Sequence, residues 1–419
     1  DGSIPLPSHF PTSLPNQRIY QEYYSLDRLR LLAERPIGNR EGFHDVWQGL
    51  RVTFLLFDEN WRGQALGLSP LNGDLFGSQH LEPLQDWAID NADLLQAIRY
   101  LSLYEQKGQL RRINYAALDV EELGSVYESL LDFYPQVTQQ DGIYQFQLVT
   151  GSDRKTTGSY YTPPELVGQL IKSALEPVIE ERLRGAVERS GGGGGVDASS
   201  TPLPPYSSTP PISLKEQALL SLKVCDPACG SGHFLLAAAR RIGKELARVR
   251  TGEMQPGPDA LRLAVRDVVQ NCIYGVDLNP LAVDLCKVAL WIEGFAAGMP
   301  LNFLDHRIKC GNSLVGVFDL EVLREGIPDG AYTAVTGDDK KLASSRKKDN
   351  KDELKGQRSL FEKADFESDR SQFAQLWQEM GAIPEQTPEQ IRQKQAQYQA
   401  SRENAQWWND RSACNLWTA

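Results

Sequence analysis

The stretch Cys225-Asp226-Pro227-Ala228-Cys229-Gly230-Ser231-Gly232-His233-Phe234-Leu235 constrains this chain more than any other. It stands between a short apolar run, Leu222-Lys223-Val224, and a helix-forming run, Leu236-Ala237-Ala238-Ala239-Arg240-Arg241-Ile242. A strand, a tight glycine turn and a helix in that order build a cradle at the end of a sheet. Gly230 and Gly232 let the backbone take angles that a side chain forbids, and let it come close to a bound molecule. The amides at the start of a helix have no partner within it and point into the gap. A chain built around this turn is expected to be an α/β protein.

Composition narrows the class. The 419 residues suffice for two or three domains. Hydrophobic content of 41% and charged content of 24% are ordinary for a globular protein. No apolar run approaches the ~18 residues of a membrane span, so no membrane partner is expected. The start, Asp1-Gly2-Ser3-Ile4-Pro5, does not resemble a secretory signal. It also lacks a Met, so the chain is expected to belong to something longer. Six scattered cysteines without a C-x-x-C pair and five scattered histidines offer no zinc set. Reduced, packed thiols and a cytoplasmic location are the expectation. The net charge of −11 excludes a chain that grips nucleic acid with its whole surface, though not a local basic groove.

The organisation follows from pattern changes. Residues 1–150 read as a helical scaffold. Asp119-Val120-Glu121-Glu122 resembles a capping box ahead of Leu123, Val126, Tyr127, Leu130 and Leu131, and residues 52–57 supply core. Residues 151–184 hold a second helix start, with Thr162 as N-cap, Pro163 at the first helical position and Glu165 closing a capping box. Leu166, Leu170, Ile171 and Leu175 then form a stripe. Residues 185–211 read as a flexible Gly/Ser/Pro loop. Residues 212–335 alternate strands and helices: the glycine turn, a helix to about Arg250, a helix over 260–269, and a strand over 273–276 ending at Asp277. A helix capped by Asn279 and opened by Pro280 follows, then a strand near 307–310. Such alternation predicts a parallel, doubly wound sheet. Residues 336–370 read as a charged, solvated loop, with a nucleic-acid contact as the lesser reading, and 371–419 as helices with a start at Thr387-Pro388.

Two features indicate what the cradle holds. Asp277 closes the strand after the turn, where a carboxylate can accept both hydroxyl protons of a ribose. Asp226 puts a second carboxylate beside the ligand, repelling a pyrophosphate and attracting a cation. Asp277 also lies much further along the chain than the ~20 residues of a dinucleotide fold. The pair favours a cofactor with an adenosine and an ammonium or sulfonium group over NAD.

The chain resembles the gamma-type adenine-N6 DNA methyltransferases. D-P-A-C-G-S-G-H-F at 226–234 is similar to their motif I, G-V-D-L-N-P at 275–280 to motif II, C-G-N-S-L at 310–314 to motif III, and G-S-Y-Y-T-P-P-E-L-V at 158–167 to motif X. L-D-V-E-E-L-G-S-V-Y-E-S-L-L at 118–131 resembles the helical region of large type IIG restriction-modification enzymes and the methylases of BREX and DISARM phage defence. The resemblance implies a Rossmann-like S-adenosylmethionine-dependent methyltransferase sheet with an N-terminal helical domain. It implies double-stranded DNA as partner, with further subunits of a phage-defence complex possible in principle. By the same resemblance Asp226, Ala228, Cys229, Gly230 and Gly232 hold the methionine part, and Tyr161, Thr162 and Pro163 close over it. Asp277 takes the ribose, Leu278 packs on the cofactor adenine, Asn312 reaches that adenine's edge, and Phe234 walls the pocket. Ser231 and His233 are helix-start residues.

One departure bears on activity. The N/D-P-P-Y/F/W motif that accepts the target amine's protons and stacks the extruded base is not found. Asn279-Pro280-Leu281 belongs to motif II, and Leu203-Pro204-Pro205-Tyr206 has Leu in the acceptor position. The chain is expected to end, at Trp417-Thr418-Ala419, before the catalytic strand, so no catalytic residue is assigned. Glu105-Gln106-Lys107 is the only fragment of a nuclease-like E-x-K, and it is read as following a helix over 94–104 rather than lying on a strand. A methyltransferase for a protein or small molecule, and a non-catalytic cofactor-binding assembly subunit, stay open as other readings.

Overall fold

In the computed structural model the described residues are 15–35, 42–58, 62–68, 71, 76, 82, 84, 86–115, 122, 124, 126, 133–140, 143–150, 162–191, 213–296, 298–360 and 370–418. The chain divides into two units, one of Asp1–Gly311 with Pro384–Arg392 and one of Asn312–Ile383 with Gln393–Ala419. The first carries α1 (Pro15–Ile19), α2 (Leu26–Glu34), α3 (Asp45–Leu56) and α4 (Asn91–Ser102). Two antiparallel hairpins follow, β1 (Leu103–Gln106) with β2 (Gln109–Arg112) and β3 (Phe133–Gln140) with β4 (Ile143–Thr150).

Next come α5 (Pro164–Leu170), a π-turn (Ile171–Leu175), α6 (Glu176–Gly191) and α7 (Leu214–Leu220). The cradle region comprises β5 (Val224–Asp226), α8 (His233–Thr251), α9 (Pro258–Cys272), β6 (Ile273–Asp277), α10 (Pro280–Glu293) and β7 (Ile308–Cys310). The strands pair parallel in the order β5-β6-β7, with Asp226 opposite Gly275 and Asp277 opposite Cys310. All three therefore end at one edge, which is where open parallel sheets bind ligands. The parallel pairing expected from sequence is present, as a small three-stranded sheet.

Apolar spacing explains the core. Leu235, Ala238, Ala239, Ile242, Leu246 and Ala247 recur at helical intervals and bury one stripe of α8. Ala264, Val265, Val268, Val269 and Cys272 of α9 pack against it. Gly243 makes the approach close, since a Cβ there would lie 2.6 Å from Val265 Cγ2. Arg241 of α8 pairs with Glu176 of α6 at 2.8 Å, fixing the helix that precedes the glycine turn in sequence. Buried Glu385 receives hydrogen bonds from Asn302 Nδ2 (2.7 Å) and Phe303 N (3.2 Å), while Arg266 donates to its carbonyl at 2.6 Å. A separate N-terminal cluster joins Leu29, Ala33, Val46, Trp47, Leu94 and Leu95. In the second unit lie α11 (Lys340–Leu360), α12 (Arg370–Ala382) and α14 (Ala405–Thr418), and α13 (Pro388–Glu403) belongs to it from Gln393 onward. No helix of the described residues is long and apolar enough to cross a membrane.

Several sequence expectations need correction. Residues 1–150 are not only helical. The helix over 94–104 ends at Ser102, and Glu105 and Gln106 lie on β1. Lys107 and Gly108 turn the chain with φ of 53° and 76°, the two left-handed positions of a tight hairpin. Of the apolar face expected after 119–122, Leu123, Tyr127, Leu130 and Leu131 lie outside the described residues, and Val126 is exposed. Of 52–57, Thr53, Leu56 and Phe57 are buried and Val52 is exposed.

Thr162 is not an N-cap: α5 starts one residue later, with Pro163 at the N-cap, Pro164 in its first turn and no side-chain cap. The buried residue of α5 is Val167, while Leu166 and Leu170 face solvent. Ile171 and Leu175 pack on the core, in one row with Val167 at i,i+4 intervals. The loop expected from 185 starts later, since α6 runs to Gly191 with Ala186 buried. The charged loop expected over 336–370 holds the 21-residue α11, started by Asp339, whose carboxylate accepts from Lys341 N at 2.8 Å. The end of the chain is helical as read, and Thr387 Oγ1 accepts from Gln390 N at 3.4 Å.

Two glycine substitutions should part in sign. Gly243→Ala should lower unfolding free energy by about 1–3 kcal/mol through overpacking. Gly185→Ala, at an open position inside α6, should raise it by about 0.5–1 kcal/mol. Urea denaturation of both variants checks the pair.

Candidate functional site

The site grows from the end of β5. Asp226 turns the chain by accepting Ala228 N on Oδ1 at 3.0 Å. Cys229 N donates to Val276 O of β6 at 2.9 Å, and Gly232 N returns to Cys229 O at 2.8 Å. Gly230 N donates to Asp277 Oδ2 at 2.9 Å. The other oxygen, Asp277 Oδ1, accepts Asn279 N at 2.9 Å. One carboxylate thus ties the glycine turn to the start of α10. Asn279 Oδ1 accepts Leu281 N at 3.0 Å and Pro280 opens that helix, as the sequence predicts. Gly311 N donates to Asp277 O at 2.9 Å, bringing the end of β7 to the same edge.

The two turn glycines serve different needs. Gly230 has φ +51°, and a Cβ there would meet nothing within 4 Å, so its outer face is open. Gly232 has φ +92° and is the N-cap of α8; a Cβ would lie 2.7 Å from Cys286 Sγ of α10. Gly275, Cys286 and Gly124 carry roles that the sequence did not assign them. A Cβ on Gly275 would lie 2.9 Å from Leu235 and 3.0 Å from Cys229 Sγ, so glycine lets the turn lie flat on β6. A Cβ on Gly124 would lie 2.7 Å from Ser231 Oγ. A small residue facing a turn only after folding leaves no local pattern to read.

The site is electrically negative. Among the described residues neither Asp226 nor Asp277 has an ion-pair partner. Burial holds the Asp226 carboxyl above the usual carboxylate range; the Asp277 charge adds to this, and the Ala228 N–H opposes it. The Cys286 thiol is pushed well up by its hydrogen bond with Cys229, by burial and by the same two carboxylates. Cys286 is therefore an inert packing thiol at neutral pH. A desolvated carboxylate with no cation beside it favours a positively charged ligand and disfavours a phosphate.

The remaining predicted residues are placed as follows. Phe234 is half-buried in the first turn of α8, and Ala228 is exposed. Leu278 is 56% exposed beside Asp277, an apolar side chain left open at the sheet edge. Thr162 is half-buried and Pro163 exposed at the start of α5; Tyr161 lies outside the described residues. Asn312 is exposed, opens the second unit, and accepts Leu314 N on Oδ1 at 2.9 Å.

A strand, a glycine turn and a helix, with an acid at the end of the adjacent parallel strand, form the edge of a small parallel α/β sheet. Residues 211–313 match the family model described as MmeI, DNA-methyltransferase domain. Among curated relatives, a type II restriction enzyme and methyltransferase of Methanocaldococcus jannaschii is 26% identical over 271 residues, 59% of this chain and 21% of the relative. The adenine-specific methyltransferase PglX of Streptomyces coelicolor is 41% identical over 98 residues, 23% of this chain and 7% of the relative. The chain thus spans about a fifth of the first relative and less of the second. Among solved structures, the type IIL restriction-modification enzyme MmeI in complex with DNA is 18% identical, with a TM-score of 0.37, over 71% of this chain and 36% of that one.

The raised Asp226 carboxyl has a signed consequence. A carboxyl raised above its unfolded value near 3.9 contributes stability below that pH and loses it as pH rises through the folded value. Asp226→Asn keeps the acceptor for Ala228 N and removes the charge. Its stability relative to the unchanged chain should therefore be greater at pH 7 than at pH 4. Urea unfolding at both pH values checks this, and a difference of opposite sign would show that Asp226 is not held against its charge.

Proposed function

We propose that this chain supplies the methyl-donor-binding part of an S-adenosylmethionine-dependent adenine-N6 DNA methyltransferase of a restriction-modification or phage-defence system. The observation that carries the reading is the anionic cradle: Asp226 and Asp277, without cationic partners among the described residues, beside the open face of Gly230, within a segment that matches the MmeI methyltransferase model. A sulfonium and an ammonium group fit such a site; a pyrophosphate does not. When bound, the donor supplies an electrophilic methyl group on sulfur.

The residues divide the work. Asp226 faces the methionine part, with the backbone of Ala228, Cys229, Gly230 and Gly232 shaping its floor. The amides of these four already have acceptors in the protein, so they fix the turn's form and leave its Cα face for contact. Each Asp277 oxygen accepts one amide and keeps a further lone pair, so ribose hydroxyls can be received without dismantling the turn. Leu278 offers its exposed side chain to the adenine ring. Tyr161, Thr162 and Pro163 close the donor in, and Phe234 walls it.

In the same reading the three strands belong to a larger Rossmann-like sheet in the cytoplasmic protein, which acts on double-stranded DNA, with defence-complex subunits as further partners. Residues 1–150 are its N-terminal scaffold, 151–184 the segment that closes over the donor, and 212–335 the donor-binding core. A bound donor would supply a methyl group to adenine N6, whose proton would then have to be received by the protein. The N/D-P-P-Y/F/W residues that would receive it are not among the 419.

Calorimetry with S-adenosylmethionine tests the reading. The unchanged chain should bind it, and Asp277→Ala should weaken binding at least tenfold, about 1.4 kcal/mol. Absence of binding by the unchanged chain overturns the proposal. Unchanged affinity of a folded Asp277→Ala variant overturns the ribose assignment.

A further inference from the structure

The most concentrated charge in the described structure lies on α11 of the second unit. Residues 340–360 hold eight basic and three acidic residues, a net +5 in a chain of net −11. At 3.6 residues per turn, Lys340, Lys341, Lys347, Lys348, Lys351 and Lys355 fall within about 120° of arc; Asp352 lies at the edge of that arc, and Asp349 and Arg346 lie toward the opposite side. The row runs about 22 Å along the axis.

Asp329 takes up two of these lysines, Lys351 at 2.9 Å and Lys347 at 3.7 Å. Lys340, Lys341, Lys348 and Lys355 are exposed and have no ion-pair partner among the described residues. Like charges at i,i+4 spacing, as in Lys347–Lys351–Lys355, cost a few tenths of a kcal/mol per pair in an isolated helix. Only a polyanion relieves that repulsion along the whole row.

We infer that the lysine row of α11 is a docking strip for the phosphate backbone of double-stranded DNA. This rests on the proposed action on DNA. Charge complementarity selects the occupant, and the row's length matches about six base pairs along one strand. Residues 340–360 contain no aromatic side chain, so they offer no stacking platform for single strands. Leu342, Leu354 and Leu360 are the only large apolar residues, too few for the buried face of a membrane-surface helix. Lysines reading phosphates position a duplex without choosing its sequence.

The test compares the chain with a variant carrying Lys340→Gln, Lys341→Gln, Lys348→Gln and Lys355→Gln. Binding of a labelled duplex is followed by fluorescence anisotropy across 50–200 mM salt. Four lost phosphate contacts should make the slope of log affinity against log salt shallower by about 3–4. The variant should bind S-adenosylmethionine as before and keep its circular dichroism. A charge-matched variant, Arg182→Gln, Arg189→Gln, Lys215→Gln and Arg262→Gln, should keep the original slope. The assignment falls if the α11 variant keeps that slope, or if the charge-matched variant loses as much. It falls too if the α11 change abolishes binding to phosphatidylserine vesicles and spares the duplex. A chain that binds S-adenosylmethionine and no duplex overturns both this strip and the proposed DNA substrate, whereas a duplex-binding chain insensitive to the α11 change overturns the strip alone.

Discussion

Asp277 accepts Gly230 N with one carboxylate oxygen and Asn279 N with the other. Hydrogen bonds to a charged group contribute about 1.5–3 kcal/mol each, well above neutral ones. This one side chain therefore sets the angle between the glycine turn and α10, and it holds Gly230 in a left-handed conformation with its open face outward. The same carboxylate has spare lone pairs at the sheet edge. In the proposed function, folding and ligand capture thus draw on one group, whose two oxygens are held by backbone amides.

Around that anchor, close approach does the shaping. Gly275 under the turn, Gly232 against Cys286 and Gly243 against Val265 bring strand, turn and helices nearer than any side chain would permit. Polar pairs then fix the periphery: Arg241 to Glu176 orients α6 on α8, and Glu385 is held by Asn302, Phe303 and Arg266. Burial lowers the Arg266 pKa while Glu385 pulls it back up, so this guanidinium is retained in the interior by its neighbours. The result is a sheet edge that is rigid at its base and open at Gly230 and Leu278.

Much of this was legible. The strand-turn-helix order around 226–234 and the Asn279-Pro280 helix start rest on local chemistry, and both stand where the sequence puts them. The errors are informative. Residues 340–360 read as a solvated loop because their charges swamp any apolar periodicity, yet an Asp339 cap and an unbroken run without proline form a helix. Leu166 and Leu170 face solvent because the row that turns to the core is Val167, Ile171 and Leu175, spaced at i,i+4. Glu105 lies on a strand, and does not merely follow a helix, because the left-handed Lys107-Gly108 turn folds β2 back on β1.

By itself, then, the sequence determined the order of strand, turn and helix, the caps, and the two acids that give the cradle its sign, since each depends on residues a few positions apart. Tertiary structure alone decided that Asp277 would grasp Gly230 across 47 residues, that Gly275 and Cys286 would pack around the turn, and that the three strand ends would share one edge. Those contacts join residues distant in the chain, and their energy exists only once the apolar stripes of α8 and α9 have come together.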